Sequence, residues 1–237
     1  MPQASSNHSA GLTSRPVTPL LPEYDQVKDL YRRAFPESER EPWWTLMGLS
    51  IHPGNAFRAW FDGEVLAGMT YTMASKTALL VLYLAVNDAV RSRGYGTRIL
   101  SILRKIAGPR PLLVEIEPVD DDAPNAEQRR RRLAFYERAG LRLTGFTLQE
   151  GTECYSIMTS AGSFDPLAYQ RLLSRAGLGL RPITVTRTRA LPAPTTAPPR
   201  PRSQAGVRGR ALEGARMSAR HTARVSVCQA VEFRTCR

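Results

Sequence analysis

Positions 79–86 read Leu-Leu-Val-Leu-Tyr-Leu-Ala-Val, with no charged residue on either face that a strand would present. Side chains alternate between the two faces of a strand, so a run that is apolar at every position has to be covered from both sides. That requirement places the segment inside a sheet with helices above and below it. The strand is followed by a loop carrying Gly94 and Gly96, and then by residues 97–106, where Ile99, Leu100, Leu103 and Ile106 recur at helical spacing. The order is strand, glycine loop, helix.

Upstream, the period is two. Residues 56–61 and 65–73 flank Asp62 and Gly63, a pair that marks a hairpin between apolar runs. Before them, Val27, Leu30, Tyr31 and Ala34 share one face of a helix over 24–35 that Pro36 ends. A second short helix follows from Glu41, with Pro42 in its first turn. Downstream, the pattern predicts a strand over 112–117, a helix over 127–139 closed by Gly140, and strands over 141–149 and 153–159. A last helix over 165–176 opens on Asp165 and Pro166. Strands and helices intermingle in the manner of an α/β chain.

A glycine loop between a strand and a helix suits an anion. The helix N-terminus offers unpaired N–H groups and the positive end of its dipole, and glycine lets a phosphate approach the backbone. A tight turn needs glycine for conformation alone, so the loop by itself leaves both readings open. The P-loop lysine and the third glycine of the dinucleotide fingerprint are both missing, which disfavours those two nucleotide folds.

The segment Arg91-Ser92-Arg93-Gly94-Tyr95-Gly96 resembles the acyl-CoA loop of the GCN5-related N-acetyltransferases (GNAT), with its Arg/Gln-x-x-Gly-x-Gly/Ala pattern. The preceding Tyr83, Leu84, Ala85 and Val86 look like that family's central strand, and Phe135-Tyr136 ahead of Gly140 and Leu141 looks like its second signature. The resemblance spans roughly residues 24–176 in element order. It extends to a bacterial subgroup with similar wording at Phe35-Pro36, Ile116-Glu117-Pro118 and Phe164-Asp165-Pro166. It implies a GNAT fold, a mixed, bent central sheet with helices on both faces, and an N-acetyltransferase that uses acetyl-CoA as co-substrate without a metal.

By the same resemblance, the main chain of Arg91, Ser92, Arg93, Gly94, Tyr95, Gly96 and Thr97 would hold the pyrophosphate, with the arginines adding charge. Leu84, Ala85 and Val86 would carry the pantetheine arm, with the N–H of Ala85 or Val86 on the thioester oxygen. Tyr136 falls where the family places a tyrosine beside the leaving sulfur; a phenol, with an ordinary pKa of about 10, is protonated at neutral pH and can donate there. A core tyrosine beside Phe135 is the other reading. For a base, alternation along 112–117 puts Glu115 and Glu117 on one strand face. Either could take a proton from an acceptor ammonium, with Glu117 nearer the open end, or both could be solvated carboxylates.

The chain carries a formal net charge of +12, most of it in the last 56 residues, where eleven arginines face Glu213 and Glu232. That segment is rich in proline and lacks periodic apolar residues, so residues 182–237 are expected to be a disordered tail. Residues 1–21 read as a flexible leader and 22–181 as the acetyltransferase domain. The tail could bind polyanions weakly and without sequence preference, and a catalytically silent CoA-binding scaffold with such a tail is the alternative function. The arginines at 129–132 point around a helix in steps and do not form one basic stripe. Three cysteines and three histidines match no zinc or disulfide pattern. Neither a membrane-spanning run nor a secretory signal is visible, which makes the cytoplasm the expected compartment. The expected partner is an amine-bearing acceptor of open type, and the chain is expected to be a monomer or homodimer.

Overall fold

The computed structural model describes residues 11–90, 93–150, 153–175 and 183–188. Eight strands form one sheet in the order β1-β2-β3-β4-β5-β7-β6-β8. They are β1 (Thr13–Pro16), β2 (Asn55–Asp62), β3 (Val65–Ala74), β4 (Leu79–Val86), β5 (Leu112–Ile116), β6 (Arg142–Glu150), β7 (Glu153–Thr159) and β8 (Ile183–Arg187). Only β4 and β5 run parallel; every other neighbouring pair is antiparallel. The sheet is therefore mixed, and the apolar strand that had to lie inside it does, with three strands on one side and four on the other.

Helices cover both faces. On one, α1 (Tyr24–Ala34), α2 (Trp43–Leu49) and α5 (Pro166–Arg175) bury Val27, Leu30, Tyr31, Leu46, Tyr169, Leu172 and Leu173 against Phe57, Met69, Tyr71, Leu80 and Leu113. On the other, α3 (Tyr95–Ala107) and α4 (Ala126–Arg138) bury Ile99, Leu100, Leu103, Phe135 and Tyr136 against Leu79, Val81, Val114 and Ile116. Ile106, expected on the core face of α3, is half exposed, because the buried stripe drifts to Ala107 at the last turn. α5 is capped as its sequence indicates: the Asp165 carboxylate accepts from the N–H groups of Leu167 and Ala168 at 2.9 and 3.1 Å. No described helix is long and apolar enough to cross a membrane.

The sheet reaches past both expected boundaries of 22–181. β1 pairs with β2 from Thr13↔Phe61 to Pro16↔Arg58, and Val17 and Leu21 join the core. β8 pairs with β6 from Ile183↔Glu150 to Phe146↔Arg187. The segment Ile183-Thr184-Val185-Thr186 alternates β-branched apolar and polar residues, and Ile183 and Val185 pack on the core beside Leu148. Four residues are too short a period to stand out beside a long arginine-rich run. The rest of the expected leader and tail, residues 1–10 and 189–237, lies outside the described residues.

Ending the chain after residue 181 is accordingly expected to remove an edge strand. With five cross-strand pairs worth about 0.2–1 kcal/mol each, the loss should come to about 1–5 kcal/mol. Urea denaturation of truncated and full-length protein measures it.

Candidate active site

Among the described residues the β4–β5 register runs only from Leu79↔Leu112 to Val81↔Val114. Beyond that pair β4 stays with β3 through Tyr83, Leu84, Ala85 and Val86, while β5 stays with β7 through Glu115 and Ile116. The two parallel strands thus part in the middle of the sheet. A β-bulge marks where they do so: Thr72 pairs with Val81 and Tyr71 with Tyr83, so Leu82 is the extra residue of β4. Its effect on the side chains is direct. Leu80 and Leu82 face the core beneath α1, and Tyr83 and Ala85 face the same core, whereas Leu79, Val81 and Leu84 face the other. A bulge bends its strand and re-aims the residues beyond it, and here it carries β4 away from β5.

On the α3 side of this gap lies the glycine loop. Gly94 is the N-cap of α3 with φ 71° and ψ 14°, the left-handed region where a side chain adds strain of about 1–2 kcal/mol. A Cβ there would meet nothing within 4 Å, so its surroundings are open. The first helical bond runs from the Arg98 N–H to the Gly94 carbonyl at 3.0 Å. Helix geometry therefore gives the N–H groups of Tyr95, Gly96 and Thr97 no acceptor within the helix. Arg93 and Thr97 are exposed beside them; Arg91 and Ser92 lie outside the described residues.

Two residues of the loop have packing roles that its sequence does not advertise. A Cβ on Gly96 would stand 3.2 Å from the Phe135 ring and 3.5 Å from Val86, so this glycine lets α3 sit close to α4 and β4. The Tyr95 ring is buried with Ala67 and Val90, and its hydroxyl donates to Asp62 at 2.7 Å, tying the start of α3 to the β2–β3 hairpin. That bond holds the Asp62 carboxyl below the usual carboxylate range. Tyr95 can serve a ligand here only through its main chain.

Glu115 and Glu117 are held by different helices, α5 and α4. Glu115 is buried on the face covered by α5, where the Tyr169 hydroxyl donates to its Oε1. Desolvation pushes its carboxyl up to about 7, against the lowering effect of that hydrogen bond. Glu117 lies one residue past the end of β5 and is held from α4, on the opposite layer. Arg132 reaches its Oε2 at 2.8 Å, Arg129 its Oε1 at 3.0 Å, and the Asn125 amide donates to both oxygens. Arg132 is buried, while Arg130 and Arg131 pair with Asp121 and Glu127 on the solvent side.

Tyr136 packs under α3 and α4 with Leu84 and Ile116, its ring 5.0 Å from that of Phe135. It therefore lies on the glycine-loop side of the gap and Glu115 on the other. Leu82 and Glu115, the first residues past the last β4–β5 pair, both line a small cleft together with Glu41, Leu148, Glu150, Leu173 and Ile183. Sequence reasoning missed Glu41 and Glu150. The available signal was weak: Glu150 continues, at period two, the face that carries Phe146 and Leu148.

Residues 24–141 match the model of the acetyltransferase (GNAT) family. Over 60 residues the chain is 38% identical to YjbC of Bacillus subtilis strain 168, provisionally named an acetyltransferase, in a match covering 25% of this chain and 29% of that protein. The chain thus spans less than a third of that relative's length. A solved Bacteroides thetaiotaomicron protein, provisionally described as an acetyltransferase of the GNAT family, is 25% identical, with a TM-score of 0.53 over 70% of this chain and 95% of that one.

Proposed function

The chain belongs to the acetyltransferase (GNAT) family through residues 24–141, and on that premise we propose that it transfers an acetyl group from acetyl-CoA to a primary amine held in the cleft floored by Leu82 and Glu115. One observation carries this reading: β4 and β5 part at Leu82 and Glu115, two residues that also line the cleft. A strand edge left unmatched inside a fold is costly unless something fills it, and the edge of Leu84, Ala85 and Val86 that faces the gap suits the amides of a pantetheine arm. The N–H groups of Tyr95, Gly96 and Thr97, with the Arg93 charge and the adjoining Arg91 and Ser92, suit its pyrophosphate.

Acetyl-CoA supplies the acetyl group as an activated thioester. The chain's own task is then proton traffic. An acceptor ammonium has two protons to lose before it becomes an amide nitrogen. Glu115 takes the first and passes it to solvent, which leaves the nitrogen lone pair to form the C–N bond as the C–S bond breaks. Tyr136 gives its proton to the sulfur that keeps the bonding electrons and is made good by the second proton from nitrogen. Glu117, committed to two guanidinium groups, is the poorer base of the pair. Its role in this reading is to position α4, and with it Tyr136, against the end of β5.

Release of thiol from acetyl-CoA in the presence of a series of amines tests the proposal. Tyr136→Phe is expected to lower turnover about 10²-fold, with much less change in acetyl-CoA affinity, because the hydroxyl is wanted as charge develops on sulfur. Unchanged turnover, with chemistry limiting the rate, would return Tyr136 to packing alone.

A further inference from the structure

Two buried polar groups near the carboxyl end of β5 have an atom without a hydrogen-bond partner. One is Glu39, 7% exposed, at its Oε2; the other is Tyr155 of β7, 1% exposed, at its hydroxyl. Buried polar atoms in a folded chain are nearly always paired, so two orphans near one strand end ask for a donor from outside the chain. Glu39 closes the turn Glu37–Glu39 between α1 and α2, in the stretch Phe35-Pro36-Glu37-Ser38-Glu39-Arg40. Its carbonyl accepts from the Tyr83 hydroxyl at 3.1 Å, and that hydroxyl accepts from the Glu41 N–H at 3.3 Å, so the main chain is pinned at β4 just past the bulge at Leu82. The carboxyl reaches toward β5. Burial raises its pKa to about 7; among charges, Glu117 adds to the rise and Arg132 opposes it, with Glu153 and Arg129 following, which puts it near the end of that strand. Glu39 thus bridges the gap between the parted strands.

Tyr155 comes to the same region from the sheet. It lies one residue beyond the last β5–β7 pair, Ile116↔Ser156, and opposite Leu148 of the cleft wall. Its ring is on the core face shared with Leu113 and Ile157. Burial above all, and then the charges of Glu153, Glu39, Glu115 and Glu150, push its pKa up, so the hydroxyl stays protonated. A protonated hydroxyl still offers its lone pairs to an N–H.

We propose that Glu39 and Tyr155 bind the reacting nitrogen of the acceptor: its ammonium gives one N–H to Glu39 Oε2, one to the Tyr155 hydroxyl and the third to Glu115. The proposal rests on the acetyl-transfer reading of this cleft. Neither Glu39 nor Tyr155 takes a proton; they hold the nitrogen at the gap while Glu115 removes one. The cleft lined by Glu115 encloses about 20 Å³, room for one group the size of a water or an ammonium. A hydroxyl nucleophile has a single hydrogen to give and would leave two of the three acceptors empty, so the arrangement favours a primary amine.

Thiol release from acetyl-CoA is measured with butylamine, benzylamine and 1,4-diaminobutane, and the amine that wild type uses best is carried into the variants. Glu39→Gln is expected to raise the KM for that amine about 10- to 100-fold and Tyr155→Phe about 10-fold, the worth of a hydrogen bond to a charged group, with the KM for acetyl-CoA unchanged. Glu39→Asp, which keeps the charge on a shorter arm, should recover part of the loss. Tyr155→Phe deletes a hydroxyl that has no partner in the chain, so its urea midpoint should be no lower than that of wild type, whereas a structural hydroxyl would lower it. This variant adds no polar group and keeps the test open should Glu39→Gln fail to fold. A folded Glu39→Gln or Tyr155→Phe that keeps the wild-type amine KM, or that raises both KM values alike, overturns the proposal while leaving acetyl transfer standing. No turnover of any amine by wild type takes away the acetyl-transfer reading, and the proposal with it.

Discussion

Arg132→Met is expected to cost about 3–5 kcal/mol of folding stability, the largest effect of any single substitution outside the hydrophobic cores. The reason is the charge left behind. Arg132 and Glu117 are both buried, at 2% and 7% exposure, and their ion pair measures 2.8 Å. Removing the guanidinium leaves the carboxylate in a poorly solvated place, with the half-buried Arg129 and the Asn125 amide as its remaining partners. Those partners put the loss toward the lower end of the range. Urea denaturation measures it, and the double substitution Arg132→Met with Glu117→Leu should recover most of the loss, since an apolar pair of similar volume needs no solvation. If the single and double variants are equally unstable, the ion pair is not the cause. Glu39 offers an independent check: burial and the Glu117 charge hold its carboxyl up to about 7, and Arg132 opposes that shift, so losing Arg132 should push it higher.

Glu115→Gln is expected to lower kcat for amine acetylation about 10²- to 10⁴-fold, the span of a general base. Its pH signature separates this role from a packing defect. Burial raises the Glu115 carboxyl to about 7, and only the ionised form accepts a proton, so the wild-type rate should rise through pH 7 and level off above it. The variant should lose that limb. The stability profile has the opposite slope. Between about 4.5 and about 7 the folded chain keeps a proton that the unfolded chain has released, so stability falls as pH rises through that window and is flat above it. Glu39 contributes in the same direction, and Gln at position 115 removes only the Glu115 share. A variant with wild-type turnover and an unaltered rate profile would take the base assignment away from Glu115.

Much of the fold is legible in the chain because periodicity is a property of neighbours in sequence. The apolar run at 79–86 required cover on both faces, and it has α1, α2 and α5 on one and α3 and α4 on the other. The period-two runs around Asp62-Gly63 gave the β2–β3 hairpin, and Gly94 ahead of an amphipathic stripe gave the start of α3. The two ends of the sheet were not legible. β1 and β8 are four and five residues long, and short edge strands are held by pairing with distant partners more than by their own pattern.

The site divides along the same line. Sequence by itself determined which residue types are present: the glycine loop, a tyrosine ahead of Gly140, two carboxylates at the end of an apolar strand. Tertiary structure decided what each can do. Glu117 lies 15 residues from Arg132 and Glu115 lies 54 from Tyr169. Pairing spacing of two puts both carboxylates on one face, but the nearest guanidinium takes one of them and burial raises the basicity of the other. The strand order β5-β7-β6 brings Glu115 and Glu150 to one cleft, and the bulge at Leu82 opens the sheet beside it. Charge, desolvation and strand order act between residues far apart in sequence, so no reading of neighbouring positions contains them.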